Sequence, residues 1–216
     1  MQRRRLQVAL DFADITNAEA FIRQIPLDAI DAIEVGTPML THYGVSGALE
    51  IQKLATTVPL YVDLKILDFA RLELAGFEVA RPSGASLLLA AAPHVQEEAV
   101  AYCASNRIQL WCSTMGVKPS NLAAEVTSAC GRGVSLFIAH GSGTTLTAAL
   151  LQTKLAGAVL SSLKRTWLAA GGVTPEVVPD LLEMGASGVI VGRAIAESST
   201  PGAEVHRFRD ELDRYS

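Results

Sequence analysis

The sequence predicts an α/β fold, a single (β/α)8 TIM barrel spanning residues 1–216. Three observations carry it. Short apolar runs alternate with longer segments whose apolar residues recur at three- and four-residue spacing, the pattern of amphipathic helices. Eight such units fit a chain of 216 residues, near the short end of the barrel's size range. The first run is followed by DFADIT, not by the glycine-rich loop common after strand one of a doubly wound sheet.

Taken in order, strand one is expected at 6–11 (LQVALD), backed by the helical segment NAEAFIRQI. Strand two at 30–35 (IDAIEV) precedes SGALEIQKLATT, and strand three at 59–65 (PLYVDLK) precedes ARLELAGFEVAR. Strand four at 85–91 (ASLLLAA) is followed by HVQEEAVAYCASN, and strand five at 107–112 (RIQLWC) by SNLAAEVTSACG. Strand six at 134–140 (VSLFIAH) leads into TLTAALLQTKLAGAVLSSLKR, and strand seven at 166–170 (TWLAA) into PEVVPDLLEMG. Strand eight is expected at 187–191 (SGVIV). Gly185 stands where a helix C-cap belongs. Thr174 and Pro175 read as the N-cap and first residue of the seventh helix.

Composition narrows the function classes. Half of the chain is hydrophobic and 19% is charged, which argues against disorder. The formal net charge of −4 offers no basic field, so neither nucleic acid nor an anionic membrane is an expected partner. The dense basic run RRR at 3–5 reads as a solvated N-terminus. LQVAL is cut short by Asp11 and makes no signal-peptide core, and no stretch of about 18 apolar residues would span a membrane. Cys103, Cys112 and Cys130 show no CxxC spacing and read as reduced thiols in a cytoplasmic protein.

Strand parity then sorts the charges. In a barrel alternate residues face the interior, and sites form at the C-terminal ends of the strands. With Leu6, Val8 and Leu10 facing the helices, Asp11 points inward at the top of strand one. The same rule points Glu34 inward on strand two, and Asp63 and Lys65 inward on strand three. His140 closes strand six at the same mouth. Buried unpaired carboxylates are costly and are held by partners, metal or function. Glu34 and Asp63 are a hard-oxygen pair suited to one Mg²⁺, and Lys65 can offset charge and donate to a developing oxyanion. AAGGVT (169–174) and IVGRAI (190–195) place glycines at two adjacent strand ends. Gly171, Gly172, Gly192 and Arg193 therefore read as a phosphate cradle.

VDLKILD at 62–68 carries an Asp-x-Lys-x-x-Asp motif that resembles the orotidine 5′-phosphate decarboxylase superfamily. LQVALD, IEVGTP, AGGV and VGRAI resemble its branch of 3-hexulose 6-phosphate synthase and 3-keto-L-gulonate 6-phosphate decarboxylase. The match runs from Leu6 to about Ile195. The resemblance implies a homodimeric barrel with shared active sites. It implies Mg²⁺ on Glu34 and Asp63, Lys65 and Asp11 at the sugar oxygens, and Asp68 contributed by the partner subunit. It also implies proton transfer by His140, phosphate held by Gly172, Gly192 and Arg193, and a pentulose-phosphate enediolate as the shared intermediate.

Two positions depart from that pattern. Trp111 stands where the family usually has an acid near the end of strand five, and is read as part of the mouth, where it fills space or shapes the substrate pocket. Gly143 stands where the gulonate decarboxylase has an arginine. The expected activity is thus a Mg²⁺-dependent carbon–carbon lyase on a phosphorylated keto sugar, closest to 3-hexulose 6-phosphate synthase. The same-fold alternative is the gulonate decarboxylase or another superfamily decarboxylase. The alternative of another class is a non-catalytic barrel that binds a sugar phosphate.

Overall fold

The computed structural model describes residues 3–142 and 145–215. Eight parallel strands close into a barrel: β1 (Arg5–Leu10), β2 (Ala32–Val35), β3 (Leu60–Ile66), β4 (Gly84–Leu88), β5 (Gln109–Ser113), β6 (Leu136–His140), β7 (Thr166–Ala170) and β8 (Gly188–Val191). Each pairs with the next, and β8 returns to β1 with Val8 opposite Val191. Every strand expected from the sequence is present. The largest differences are β4, which stops at Leu88 before a turn, and β5, which starts at Gln109 and runs on to Ser113.

Around the barrel lie α1 (Ile15–Ile22), α2 (Thr37–Leu54), α3 (Ala70–Gly76), α4 (Pro93–Asn106), α5 (Pro119–Gly131), α6 (Leu146–Ser162), α7 (Val178–Glu183), α8 (Arg193–Ala196) and α9 (Pro201–Arg214). No described helix is long and apolar enough to cross a membrane. The second helix begins well before the periodic segment SGALEIQKLATT. Pro38 sits in its first turn, where its missing N–H costs nothing, and Gly44 interrupts it at φ +54°. These two residues look like loop punctuation in the sequence. Thr174 takes the extended N-cap conformation, but a 3₁₀ turn over Pro175–Val177 follows it without a side-chain cap bond. An α-helix from Pro175 would need an N–H at Pro179 to reach back four residues, and proline has none.

Two apolar layers follow from the period of two. Leu6, Val8, Leu10, Ile33, Val35 and Val62 are fully or almost fully buried between barrel and helices. Each such side chain contributes about 1.5–3 kcal/mol relative to exposure. The opposite faces fill the barrel with Ala9, Ala32, Tyr61, Trp111, Ile138, Leu168, Ala170 and Ile190. At the N-terminal end α9 is pinned by Arg209, whose guanidinium donates to Asp31 at 2.9 Å, Asp213 at 2.9 Å and the Arg4 carbonyl at 2.7 Å.

Trp167 anchors β7 against α6, fully buried, with its Nε1 donating to Ser161 Oγ at 3.0 Å. Gly157 of α6 makes room for the ring: a methyl there would lie 2.5 Å from its Cη2. Glycine to alanine in an exposed helix interior gains about 1 kcal/mol. Here overpacking dominates, and Gly157→Ala is expected to destabilise by about 1–3 kcal/mol. A thermal melt checks this, and a melting temperature at or above the parent value would contradict the packing argument.

Candidate active site

Asp11, Glu34, Asp63, Lys65 and His140 line one cavity of about 270 Å³ at the C-terminal mouth, together with Gly171, Gly172, Gly192 and Arg193. Nine of the residues singled out in the sequence are therefore brought together there. Two are not. Asp68 lies beyond β3, exposed and outside this cavity. Trp111 is the other, and its placement corrects the expectation. It is buried inside the barrel, opposite Ser86 and Leu136, with the Arg5 guanidinium 5.8 Å from its ring. It lines a separate cavity with Arg5 and Gln109 rather than the mouth. The reason is strand length. Because β5 extends to Ser113, its inward residues are Gln109, Trp111 and Ser113, and the serine takes the top position. Gly143 lies outside the described residues.

β3 builds the centre of the site. Its register against β4 shifts between Val62 and Ile66, and Lys65 takes a positive φ of 50°. A non-glycine residue held there is strained, and such strain persists only where neighbours fix it. Three contacts do so. The Lys65 backbone N–H donates to Ser86 Oγ at 2.8 Å, while its ammonium donates to Thr37 Oγ1 at 2.6 Å and pairs closely with Asp63 Oδ2. Asp63 also accepts from Ser86 Oγ at 2.7 Å and from Thr37 Oγ1 at 3.1 Å. Thr37 and Ser86 were missed in the sequence. Ser86 carried a signal, as the only polar residue in ASLLLAA, but Thr37 carried none before the start of α2 was known.

Electrostatics divide the mouth. Burial pushes the Glu34 carboxyl up to about 8, and Asp63 and Asp11 push the same way. Lys65 and the Gln7 amide, which donates a short hydrogen bond to Glu34, oppose them. Asp11 lines the mouth, and its residue as a whole is exposed while its carboxyl is desolvated. Its pKa is raised first by this desolvation and then by Asp63, against Lys65 and Arg193. Burial lowers His140 to about 4, so the imidazole is neutral at pH 7. Its Nδ1 lies 3.3 Å from Ser113 Oγ, which leaves Nε2 as the nitrogen available for proton transfer.

The glycine rim completes the cavity. Gly171 and Gly172 adopt φ +87° and +71°, and a side chain at Gly171 would collide with the Gly141 carbonyl. Arg193 has no ion pair among the described residues and remains free to meet an anion. The fit to a divalent cation rests on the donor set. Hard carboxylate oxygens gather in one cavity, where burial first and Asp63 second raise both Glu34 and Asp11. Among the described residues no three acids, histidines or cysteines form a metal cage. A two-carboxylate site keeping several waters is the arrangement magnesium favours.

Fold and mouth define a (β/α)8 barrel that sets three carboxylates, a lysine and a neutral histidine beside a glycine rim bearing an arginine. The family profile described as "Orotidine 5'-phosphate decarboxylase / HUMPS family" matches residues 4–208, and the chain belongs to that family. It is 30% identical over 213 residues to the "Bifunctional enzyme Fae/Hps" of Methanoregula boonei, covering 97% of this chain and 53% of that protein. The chain thus spans about half the length of these bifunctional relatives. It is also 26% identical over 204 residues to the "3-hexulose-6-phosphate synthase" of Bacillus subtilis, covering 90% of this chain and 91% of that protein. The fold superposes on 3-hexulose-6-phosphate synthase from Salmonella typhimurium with a TM-score of 0.88 at 24% identity, over 98% of this chain and 100% of the other. KGPDC from Streptococcus mutans in complex with D-R5P gives 0.85 at 19% identity, over 99% of each chain.

The raised Glu34 has a stability consequence with a definite sign. Between its ordinary 4.5 and about 8 the folded chain holds a proton that the unfolded chain has released, so stability falls as pH rises. His140 acts oppositely, but only between about 4 and its ordinary 6.5. Metal-free protein is therefore expected to lose melting temperature between pH 6.5 and 8, and Glu34→Gln to flatten that slope. Parallel slopes for the two proteins would show that Glu34 is not the titrating group.

Proposed function

We propose that this chain is a Mg²⁺-dependent carbon–carbon lyase acting on a phosphorylated keto sugar through an enediolate. Its closest activity would be that of 3-hexulose-6-phosphate synthase, joining formaldehyde to ribulose 5-phosphate. The observation that carries the reading is the placement of neutral His140 and the Lys65–Asp63 pair in the same cavity as Arg193 and the glycine rim. The kinship with a synthase of nearly the same length supports it.

Arg193 and the backbone around Gly172 and Gly192 would hold the phosphate and fix the sugar's position. His140, uncharged at neutral pH, would take the proton from the carbon beside the carbonyl. The negative charge of Asp63 favours the imidazolium that results. The Lys65 ammonium, fixed by Thr37 and Asp63, would donate to the oxygen on which charge develops. Asp11 would orient the neighbouring hydroxyl. A cation held by Glu34 and Asp63 would supply Lewis-acid charge compensation to the sugar oxygens. The same set would serve a decarboxylase, in which loss of CO2 replaces proton removal.

A panel of keto-sugar phosphates scored for formaldehyde uptake and for CO2 release separates the two reactions. Formaldehyde-dependent loss of ribulose 5-phosphate is expected, abolished by chelator and reduced at least 100-fold in Glu34→Gln. Activity that survives chelation would remove the metal from the scheme. Binding of pentulose phosphate without turnover of any panel member would favour the non-catalytic barrel.

The proposed assembly is a homodimer with shared sites. Asp68 is flanked by Leu67, Phe69 and Leu72, which are 50%, 60% and 72% exposed, an apolar ridge suited to a second copy. Asp68 would then complete the neighbour's mouth. Lys65→Ala and Asp68→Ala are each expected to be inactive alone. Mixed after subunit exchange they should recover up to about a quarter of parental activity, because one site in each heterodimer holds both groups. No recovery in verified heterodimers would mean that the site is built within one chain.

A further inference from the structure

The N-terminal face of the barrel holds a second cavity, of about 360 Å³, lined by Arg3, Arg4, Arg5, Asp31, Trp111 and Thr166 among others. Its one lining carboxylate, Asp31, is already engaged: Arg3 lies 3.2 Å from it, Arg209 2.9 Å, and it accepts from the Leu6 N–H at 2.8 Å. Among the described residues the Arg4 side chain makes one hydrogen bond, to the Ala186 carbonyl at 3.2 Å. Arg5 donates twice to Gln7 Oε1, at 3.0 and 2.7 Å, and lies over the Tyr61 ring at 4.2 Å. Neither Arg4 nor Arg5 has an ion-pair partner among the described residues.

Guanidinium groups only donate. A cavity with this lining therefore presents an excess of donors and positive charge, and its complement is an anion rich in acceptors. Among the described residues Arg4 keeps Nε and Nη2 unbonded, a fork that fits phosphate oxygens, while Arg5, whose Nε and Nη2 hold Gln7, keeps Nη1, and a phosphate has enough acceptor oxygens to meet both. Leu136 and Leu168 add apolar wall beside the charge. We infer that this cavity is a second anion site that takes a small phosphate monoester, with Arg4 and Arg5 on the phosphate. The run RRR at 3–5, far from the mouth, is then part of a binding site rather than a solvated terminus. The site also connects inward, since Arg5 holds Gln7 and Gln7 donates to Glu34.

The test must set the mouth aside. Arg193→Ala protein is titrated calorimetrically with inorganic phosphate and with phenyl phosphate, whose ring can use the apolar wall. One site per chain is expected, with phenyl phosphate the tighter ligand. Arg5→Gln in that background should abolish binding, but it also removes the stack on Tyr61 and can weaken the fold. Arg4→Glu has one backbone bond to lose, so its melting temperature should hold while its affinity falls at least tenfold. No binding to the Arg193→Ala protein, or unchanged affinity in a folded Arg4→Glu protein, would overturn the site.

Discussion

The contact between the Lys65 ammonium and the Asp63 carboxylate holds the mouth together. Both side chains come from the inward face of β3, two residues apart, where the register against β4 shifts and Lys65 takes a positive φ. That backbone costs on the order of 1–3 kcal/mol. Hydrogen bonds to charged groups contribute about 1.5–3 kcal/mol each, and Thr37 and Ser86 add several to this pair. The strain is therefore offset locally. Without Lys65, Asp63 would stand as a buried carboxylate beside Glu34 and Asp11, and breaking such a pair typically costs 3–5 kcal/mol.

The barrel allows this by separating two tasks. The residues of β1, β2 and β3 that face the helices are aliphatic and buried, and they carry the stability. The inward residues of the same strands carry the charge. Each charged group is one residue away from an aliphatic anchor: Glu34 lies between Ile33 and Val35, and Asp63 between Val62 and Leu64. A side chain flanked in sequence by aliphatic residues packed on the core has little freedom to relax. This rigidity keeps desolvated acids in place, where a flexible loop would let them turn to water.

Much of this was legible in the sequence because strand parity is a strict rule. Knowing which residues of LQVALD and IDAIEV were aliphatic was enough to send Asp11 and Glu34 to one mouth. The same rule failed at β5 through a one-residue error in where the strand ends. Ending the run at Cys112 made Trp111 the last inward residue, whereas the strand continues and Ser113 occupies that place beside His140. Ser113 thus takes the last inward place of β5, and the tryptophan lies below it, in the cavity it shares with Arg5 and Gln109. Thr37 was hidden because Pro38 and Gly44 look like a loop while the chain uses them inside α2. Asp68 is exposed beside the apolar ridge and close enough to Glu73 to add to burial in raising its pKa, so one chain alone does not bring it to the mouth.

The charge balance gives the mouth its direction. Three carboxylates line the cavity against two cationic side chains, Lys65 and Arg193, with His140 uncharged. The raised Glu34 shows one way to relieve the surplus, by keeping a proton. A phosphorylated substrate would bring further negative charge and deepen the imbalance. A protonated Glu34 offers that charge one hydrogen bond, whereas a divalent cation between two carboxylates would answer it directly and release the proton. On the proposed reading, the acids are arranged less for the stability of the free barrel than for a state in which more positive charge is present. Burial would then serve that state, since desolvation that costs stability in the free protein would strengthen every attraction to a bound cation and substrate.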